Sequence, residues 1–211
     1  MTRRPSALAA LLAGALSVGV LPARAQETAR CEAKVREVQA VVDRDAQGTR
    51  LWYWVWMAAG TGLLVGQTVI ASVTTGNVQK EFIAGAATSA FIPAALLLHP
   101  PAAIDDASRL DARIALTSVD GHPGDACVLA PRAQEILAHT AADQHLTTGW
   151  FAPAFVVGGN IAVGLFLGLA FHDWAGAAKQ ALGGSAVGEL QLLTLPTGSL
   201  HARGLGLAGT F

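Results

Sequence analysis

The stretch LWYWVWMAAGTGLLVGQTVIASV, residues 51–73, decides the fold because its 23 residues carry no charged side chain. As a helix rising about 1.5 Å per residue it reaches roughly 35 Å, more than the roughly 30 Å hydrocarbon core of a bilayer. Trp52, Trp54 and Trp56 gather at one end, where an apolar ring with one polar edge suits a membrane–water interface. A helix on a soluble core would interrupt such a run with charge on its wet face. The expectation is an integral membrane protein.

Three further stretches follow the same logic. Phe82–Leu98 is 17 residues long, contains Pro93 as a potential kink, and ends at His99-Pro100-Pro101. Residues 74–81, with Gly76-Asn77, form a link short enough to make the first two spans antiparallel neighbours. Gly149–Phe171 is again 23 residues without a charge, opened by Trp150 and Phe151. Trp174–Leu195 is less apolar, since it contains Lys179, Glu189 and several glycines. It spans, lies in the interface, or enters and returns; spanning is the expectation, because the third span otherwise lacks an antiparallel partner.

Composition agrees. Of the 211 residues 52% are hydrophobic and 14% charged, against about 25% charged in an average soluble domain. A net charge of −1 gives no footprint for nucleic acid. The two cysteines, Cys31 and Cys127, allow one disulfide and no zinc framework.

The start of the chain reads as an export signal: Arg3 and Arg4, an apolar core over residues 7–20, then Pro22 and the small-x-small Ala23-Arg24-Ala25 before Gln26. An uncleaved anchor is the alternative, and the core is short for a span. Residues 26–50 have a helical pattern, with Val35, Val38, Val41 and Val42 on one face and Glu32→Arg36 as a favourable i,i+4 pair. This helix either runs straight into Leu51 or breaks near Gly48. Residues 99–148 form the largest polar segment after the first span. Asp105 starts a helix with Leu110 and Ile114, residues 120–125 form a loop, and Pro131 opens another helix with Ile136 and Leu137 on its apolar side. These pieces are expected to cap the bundle. The tail, residues 197–211, is Gly-rich and expected to be poorly ordered.

A cleaved signal puts Gln26 outside the cytoplasm and, with four spans, places both cysteines on the oxidising side, where Cys31–Cys127 is a possible disulfide. Charge opposes this topology. Outer segments then hold Arg30, Lys34, Arg36, Arg44, Arg50, Arg109, Arg113, Arg132 and Arg203, while inner turns hold only Lys80 and Lys179, the reverse of positive-inside. A leading signal that has already fixed orientation weakens that rule.

Three Gly-x-x-x-Gly pairs, Gly62/Gly66, Gly164/Gly168 and Gly184/Gly188, lie inside apolar segments and mark close helix packing, within the chain or between copies. Gln67, Asn160, Glu189 and Gln191 are the polar side chains at membrane depth. A central acid costs roughly 2.5–3.5 kcal/mol on insertion scales, so Glu189 is expected to face protein or water and to hydrogen-bond Asn160. His139 and Asp143 share a helix face at i,i+4, with His145 well round the helix. His122, Asp120 and Asp125 sit in a loop on the same side, so these groups are a minor candidate for a metal site. The chain has no nucleophile elbow, Walker loop, His-Glu-x-x-His or Cys-x-x-Cys, so no catalytic residue or cofactor is assigned.

The ending Gly188-Glu189-Leu190-Gln191-Leu192-Leu193-Thr194-Leu195-Pro196, with the Trp-rich start of the first span, resembles a group of bacterial membrane proteins of uncharacterised function. The resemblance implies a multi-span envelope protein, adds weight to Glu189 and Gln191, and brings no activity or substrate. The reading is therefore an all-α membrane bundle of two hairpins with an amphipathic N-terminal helix and an extracytoplasmic helical cap. It is expected in the bacterial inner membrane, among lipid, as a non-enzymatic structural or interaction component that contacts itself or an envelope partner. Two alternatives stand beside it: a small transporter or channel subunit with a polar path through Glu189, Asn160 and Gln67, and a membrane-bound metalloenzyme using the outer histidines.

Overall fold

The computed structural model describes residues 23–120 and 125–202, and every element among them is helical. In chain order these are α1 (Ala23–Val73), α2 (Gly76–Leu98), α3 (Ala102–Asp120), α4 (Asp125–Thr148), α5 (Phe151–Phe171), α6 (Trp174–Leu193) and α7 (Gly198–Ala202). Three stretches, Ala25–Val73, Gly76–Thr117 and Ala126–Phe171, are long and apolar enough to cross a membrane. Trp174–Leu193 is not among them, since Lys179, Gln180, Glu189 and Gln191 dilute its apolarity. Residues 1–22, most of the expected signal, lie outside the described residues, and the first described residues, from Ala23, are already helical.

Of the two possibilities at Gly48, the continuous one holds: α1 is a single helix of 51 residues with Gly48 packed against Pro196. Its N-terminal half joins α3 and α4 in a three-helix bundle. Val38, Val42, Leu110 and Leu137 are fully buried there, with Ala46, Ala107, Ala133 and Ala202 between them. The valine spacing explains this, since Val35, Val38 and Val42 return to one face every three or four residues. Lys34 and Glu37 form an ion pair along this half at 3.6 Å. A second cluster, Val35 with Leu129 and Ala130, lies near the Cys31–Cys127 disulfide. That bond ties the start of α1 to the start of α4 across 96 residues of sequence.

Three local expectations are corrected. Helix α3 begins at Ala102, not Asp105, because Asp143 accepts a hydrogen bond from the Ala102 amide (3.1 Å) and satisfies a donor of its first turn. Helix α4 begins at Asp125 with Pro131 inside it. Packing of Leu129 and Ala130 against Val35 extends that helix upstream at the cost of the amide hydrogen bond that proline lacks. Residues 198–202 of the tail are ordered: α7 is docked by Asp45, which is 3% exposed and accepts hydrogen bonds from the Gly198 (3.0 Å) and Ser199 (2.8 Å) amides. Gln144 completes the node, donating to Asp45 (2.5 Å) and accepting from the Leu200 amide (2.9 Å).

Beyond the cap the chain makes two antiparallel hairpins, α1/α2 and α5/α6. Both turns are tight. The first is Thr74-Thr75, shorter than the predicted link because the helix resumes at Gly76, whose φ of +69° a side chain would oppose. The second is His172-Asp173. His172 is left-handed (φ 53°), and the Asp173 carboxylate caps α6 by accepting from the Gly176 amide at 2.9 Å.

Candidate functional site

A cleft of about 750 Å³ separates the two hairpins. Leu63, Phe82, Ile92, Val163, Leu167 and Val187 contribute to its apolar walls. Neutral polar residues from all four hairpin helices also line it, among them Gln67 of α1, Thr88 and Ser89 of α2, Asn160 of α5 and Gln180 of α6. Ser89 donates to Gln67 Oε1 (3.0 Å), and Gln180 donates to Thr88 Oγ1 (3.0 Å), bridging the hairpins. Helices α2 and α6 meet again at the turn end, where Lys179 lies 3.2 Å from both carboxylate oxygens of Glu81. At the cap end the cleft reaches Trp52, His99, Asp143, Gln144 and Gln191.

The glycine pairs divide by role. Glycines 164 and 168 face α6: a Cβ added at Gly164 would lie 2.7 Å from the Ala177 carbonyl oxygen, and one at Gly168 would enter the Trp174 ring. Gly184 and Gly188 receive Asn160 and Val156 in return. These four allow the α5 and α6 backbones to approach closely. Gly62 and Gly66 are different, for a Cβ at either position would meet nothing within 4 Å. Two glycines outside the motif also permit close approach in the first hairpin, Gly60 under Ile92 and Pro93, and Gly85 under the Gln67 amide.

The expected Asn160–Glu189 hydrogen bond is not formed. The hairpin register sets Asn160 against Gly184, more than a turn short of Glu189, and the Asn160 amide donates instead to the Val156 carbonyl (2.9 Å). Glu189 does not line the cleft, and its Oε1 is buried without a hydrogen-bond partner. Gln191 lines the cleft, and its carbonyl accepts from Trp52 Nε1 at 3.1 Å. Trp56 Nε1 donates to Thr194 Oγ1 (3.1 Å), so two of the three clustered tryptophans hold the end of α6. Trp54 is two-thirds exposed.

Among the described residues, His139 and His145 of the cap do not converge. His139 Nδ1 lies 2.8 Å from Asp106 Oδ2, which also accepts from Thr140 (2.8 Å), with Arg109 3.5 Å from the other oxygen. Asp143, one turn on, faces the start of α3, and His145 is exposed. His122 and the side chains of Asp120 and Asp125 lie outside the described positions. Among the described residues no three His, Cys, Asp or Glu side chains are grouped to hold a metal ion.

Of the polar residues expected at membrane depth, Gln67, Asn160 and Gln191 line the cleft, and the sequence reading did not single out Thr88, Ser89 and Gln180, which line it too. The usable signal was a cluster of hydrogen-bonding side chains at similar depth in facing apolar segments. It missed Asp45 and Gln144 for want of any local pattern, since their partners lie 99 and more residues away. Comparison with protein-family models, with curated proteins and with solved structures finds no match, so the resemblance of the Gly188–Pro196 ending carries no family to this chain.

Proposed function

We propose that this chain is a non-enzymatic, multi-pass protein of the bacterial inner membrane that serves as a structural or interaction component of the envelope. Both hairpins cross the bilayer in this reading, and the cap lies outside the cytoplasm. The three apolar stretches support the crossing of α1, α2 and α5, α6 follows as the antiparallel partner of α5, and the Cys31–Cys127 bond supports an oxidising compartment for the cap. One observation carries the interaction role: Gly62 and Gly66 form a small-residue face on α1 with open space beyond it, while the other two pairs are spent inside the α5/α6 hairpin. In lipid a glycine face lets a second helix approach to backbone contact. A second copy of the chain or an envelope partner takes that position.

Gly66→Cys, expressed in native membranes and treated with a short thiol crosslinker, is expected to yield a covalent dimer or a discrete partner adduct. Leu169→Cys, on an exposed position of α5, serves as the comparison. Adding Gly62→Leu should abolish the product without lowering folded yield. Equal, background crosslinking at residues 66 and 169 would overturn the reading.

The transporter reading retains one favourable observation, the shared lining of Gln67 and Asn160. Glu189 lies off that path, so Asn160→Leu rather than Glu189→Gln is the substitution that should alter any flux in liposomes.

A further inference from the structure

The inter-hairpin cleft is built for one kind of occupant. Its walls belong to the apolar halves of both hairpins, and Phe91 and Phe155, which line it, are 71% and 72% exposed. The cleft therefore reaches the outer surface of the apolar bundle, where, on the membrane placement proposed above, lipid tails lie. An apolar chain entering from that surface gains dispersion contacts with both hairpins at once. Ser89–Gln67 and Gln180–Thr88 pair part of the polar lining with itself, which leaves the apolar walls as the larger share of the surface an occupant would meet.

The turn end adds a charge pattern. Glu81 and Lys179 both line the cleft, an anion and a cation 3.2 Å apart, their side chains 24% and 69% exposed. Their order complements a zwitterion whose phosphate meets the ammonium of Lys179 and whose own ammonium meets the Glu81 carboxylate. We infer that the cleft holds a phosphatidylethanolamine molecule, its headgroup at Glu81 and Lys179 and one acyl chain running between the hairpins toward Phe91 and Phe155. The lipid adds to the contacts that the hairpins already make through Glu81–Lys179, Thr88–Gln180 and Lys80–Phe171 and at the cap end.

Two cleft-lining glycines make the test clean. Gly159 and Gly183 have nothing within 4 Å of an added Cβ, so leucine at both fills the cleft without striking the backbone and raises helix propensity. Gly158, equally open but off the cleft, provides the control. The full chain is reconstituted in vesicles of phosphatidylethanolamine and phosphatidylglycerol in which the former carries a photoactivatable acyl chain. After irradiation, adducts are mapped by peptide mass spectrometry and retained lipid is counted by native mass spectrometry in mild detergent.

The expected result is one retained phosphatidylethanolamine with adducts on Leu63, Leu167 or Val187. Retention should fall more than about tenfold in the Gly159→Leu/Gly183→Leu chain and remain unchanged in Gly158→Leu. Glu81→Gln should erase the preference for phosphatidylethanolamine over phosphatidylglycerol. Adducts confined to outward positions such as Val55, Val69 and Leu169, or a Gly183→Cys thiol freely labelled by a membrane-impermeant reagent, would overturn the proposal. Release of the chain from membranes by alkaline carbonate would instead sink the membrane placement itself, so the two failures are distinguishable.

Discussion

The cap and the apolar bundle are built from the same residue types turned in opposite directions. In the cap, Leu110 and Leu137 are completely buried, and the acids Asp45 and Asp106 are buried with their oxygens engaged. In the α5/α6 hairpin, Phe166, Leu169, Leu182 and Leu193 are 59–81% exposed while Gly164, Gly168 and Ala177 are buried. Water drives large apolar side chains inward and makes a leucine core worthwhile. An exterior of leucine and phenylalanine suits apolar surroundings, which are lipid on the placement proposed above, and there helices associate through small residues. A single helix, α1, passes from one regime to the other near Arg50, with valines inward on one side of that point and tryptophans, glycines and aliphatics on the other.

If the cap is a soluble-type bundle, its stability should depend on its staple. Removing the Cys31–Cys127 bond by Cys31→Ser with Cys127→Ser frees a loop of 96 residues, which the chain-entropy model values at about 4–5 kcal/mol. The expected outcome is a cap that unfolds at lower denaturant and exposes residues 26–50 to protease, while the apolar hairpins stay protected. Coincident loss of both regions would break the contrast and make them one cooperative unit.

The opposed packing predicts unequal costs for the same substitution. Leu137→Ala, in the cap, should cost about 3 kcal/mol through the lost transfer energy and the cavity left behind. Leu169→Ala, two-thirds exposed on α5, should change stability by less than about 0.5 kcal/mol in bilayers. Unfolding in mixed micelles measures both. A large cost at Leu169 would reveal a covered surface and point to a protein partner on α5.

Much of this contrast is legible in the sequence, because each regime writes a local signature. Valines 35, 38 and 42 repeat at helical spacing, and the 51–73 and 149–171 runs exclude charge. What the sequence hides is register and long-range pairing. Asn160 meets Gly184 rather than the level of Glu189 because the two-residue turn at His172-Asp173 fixes how α6 slides against α5. Turn length is a tertiary outcome, set by the left-handed His172 and the Asp173 cap. Asp45 reads locally as one more acid on a charged helix, and only the fold reveals it as the anchor of residues 198 and 199. The start of α4 is hidden for a similar reason, since proline's preference for a first turn is overruled by the packing of Leu129 and Ala130.

The finest test of the cap's soluble character is electrostatic. Asp43 lies on α1 with its carboxyl raised above the ordinary aspartate range, first by burial and then by the Asp111 carboxylate, against a smaller downward pull from Arg50. A raised folded-state value means that the folded chain holds the proton more tightly than the unfolded one. The cap is accordingly free of this penalty below the unfolded-state value and loses stability as pH rises through the window up to the raised one. Asp43→Asn removes the penalty at neutral pH and should stabilise the cap by no more than about 0.5 kcal/mol, because Asp43 is only half-buried and Asp111 is exposed. The gain should vanish in acid, where wild-type Asp43 is protonated, and shrink in part with salt, which screens Asp111 but leaves the burial contribution. A stabilisation that persists unchanged into acid would assign the effect to the altered side chain's packing or hydrogen bonding, and would remove Asp43 from the electrostatics that distinguish the wetted half of α1 from the apolar half.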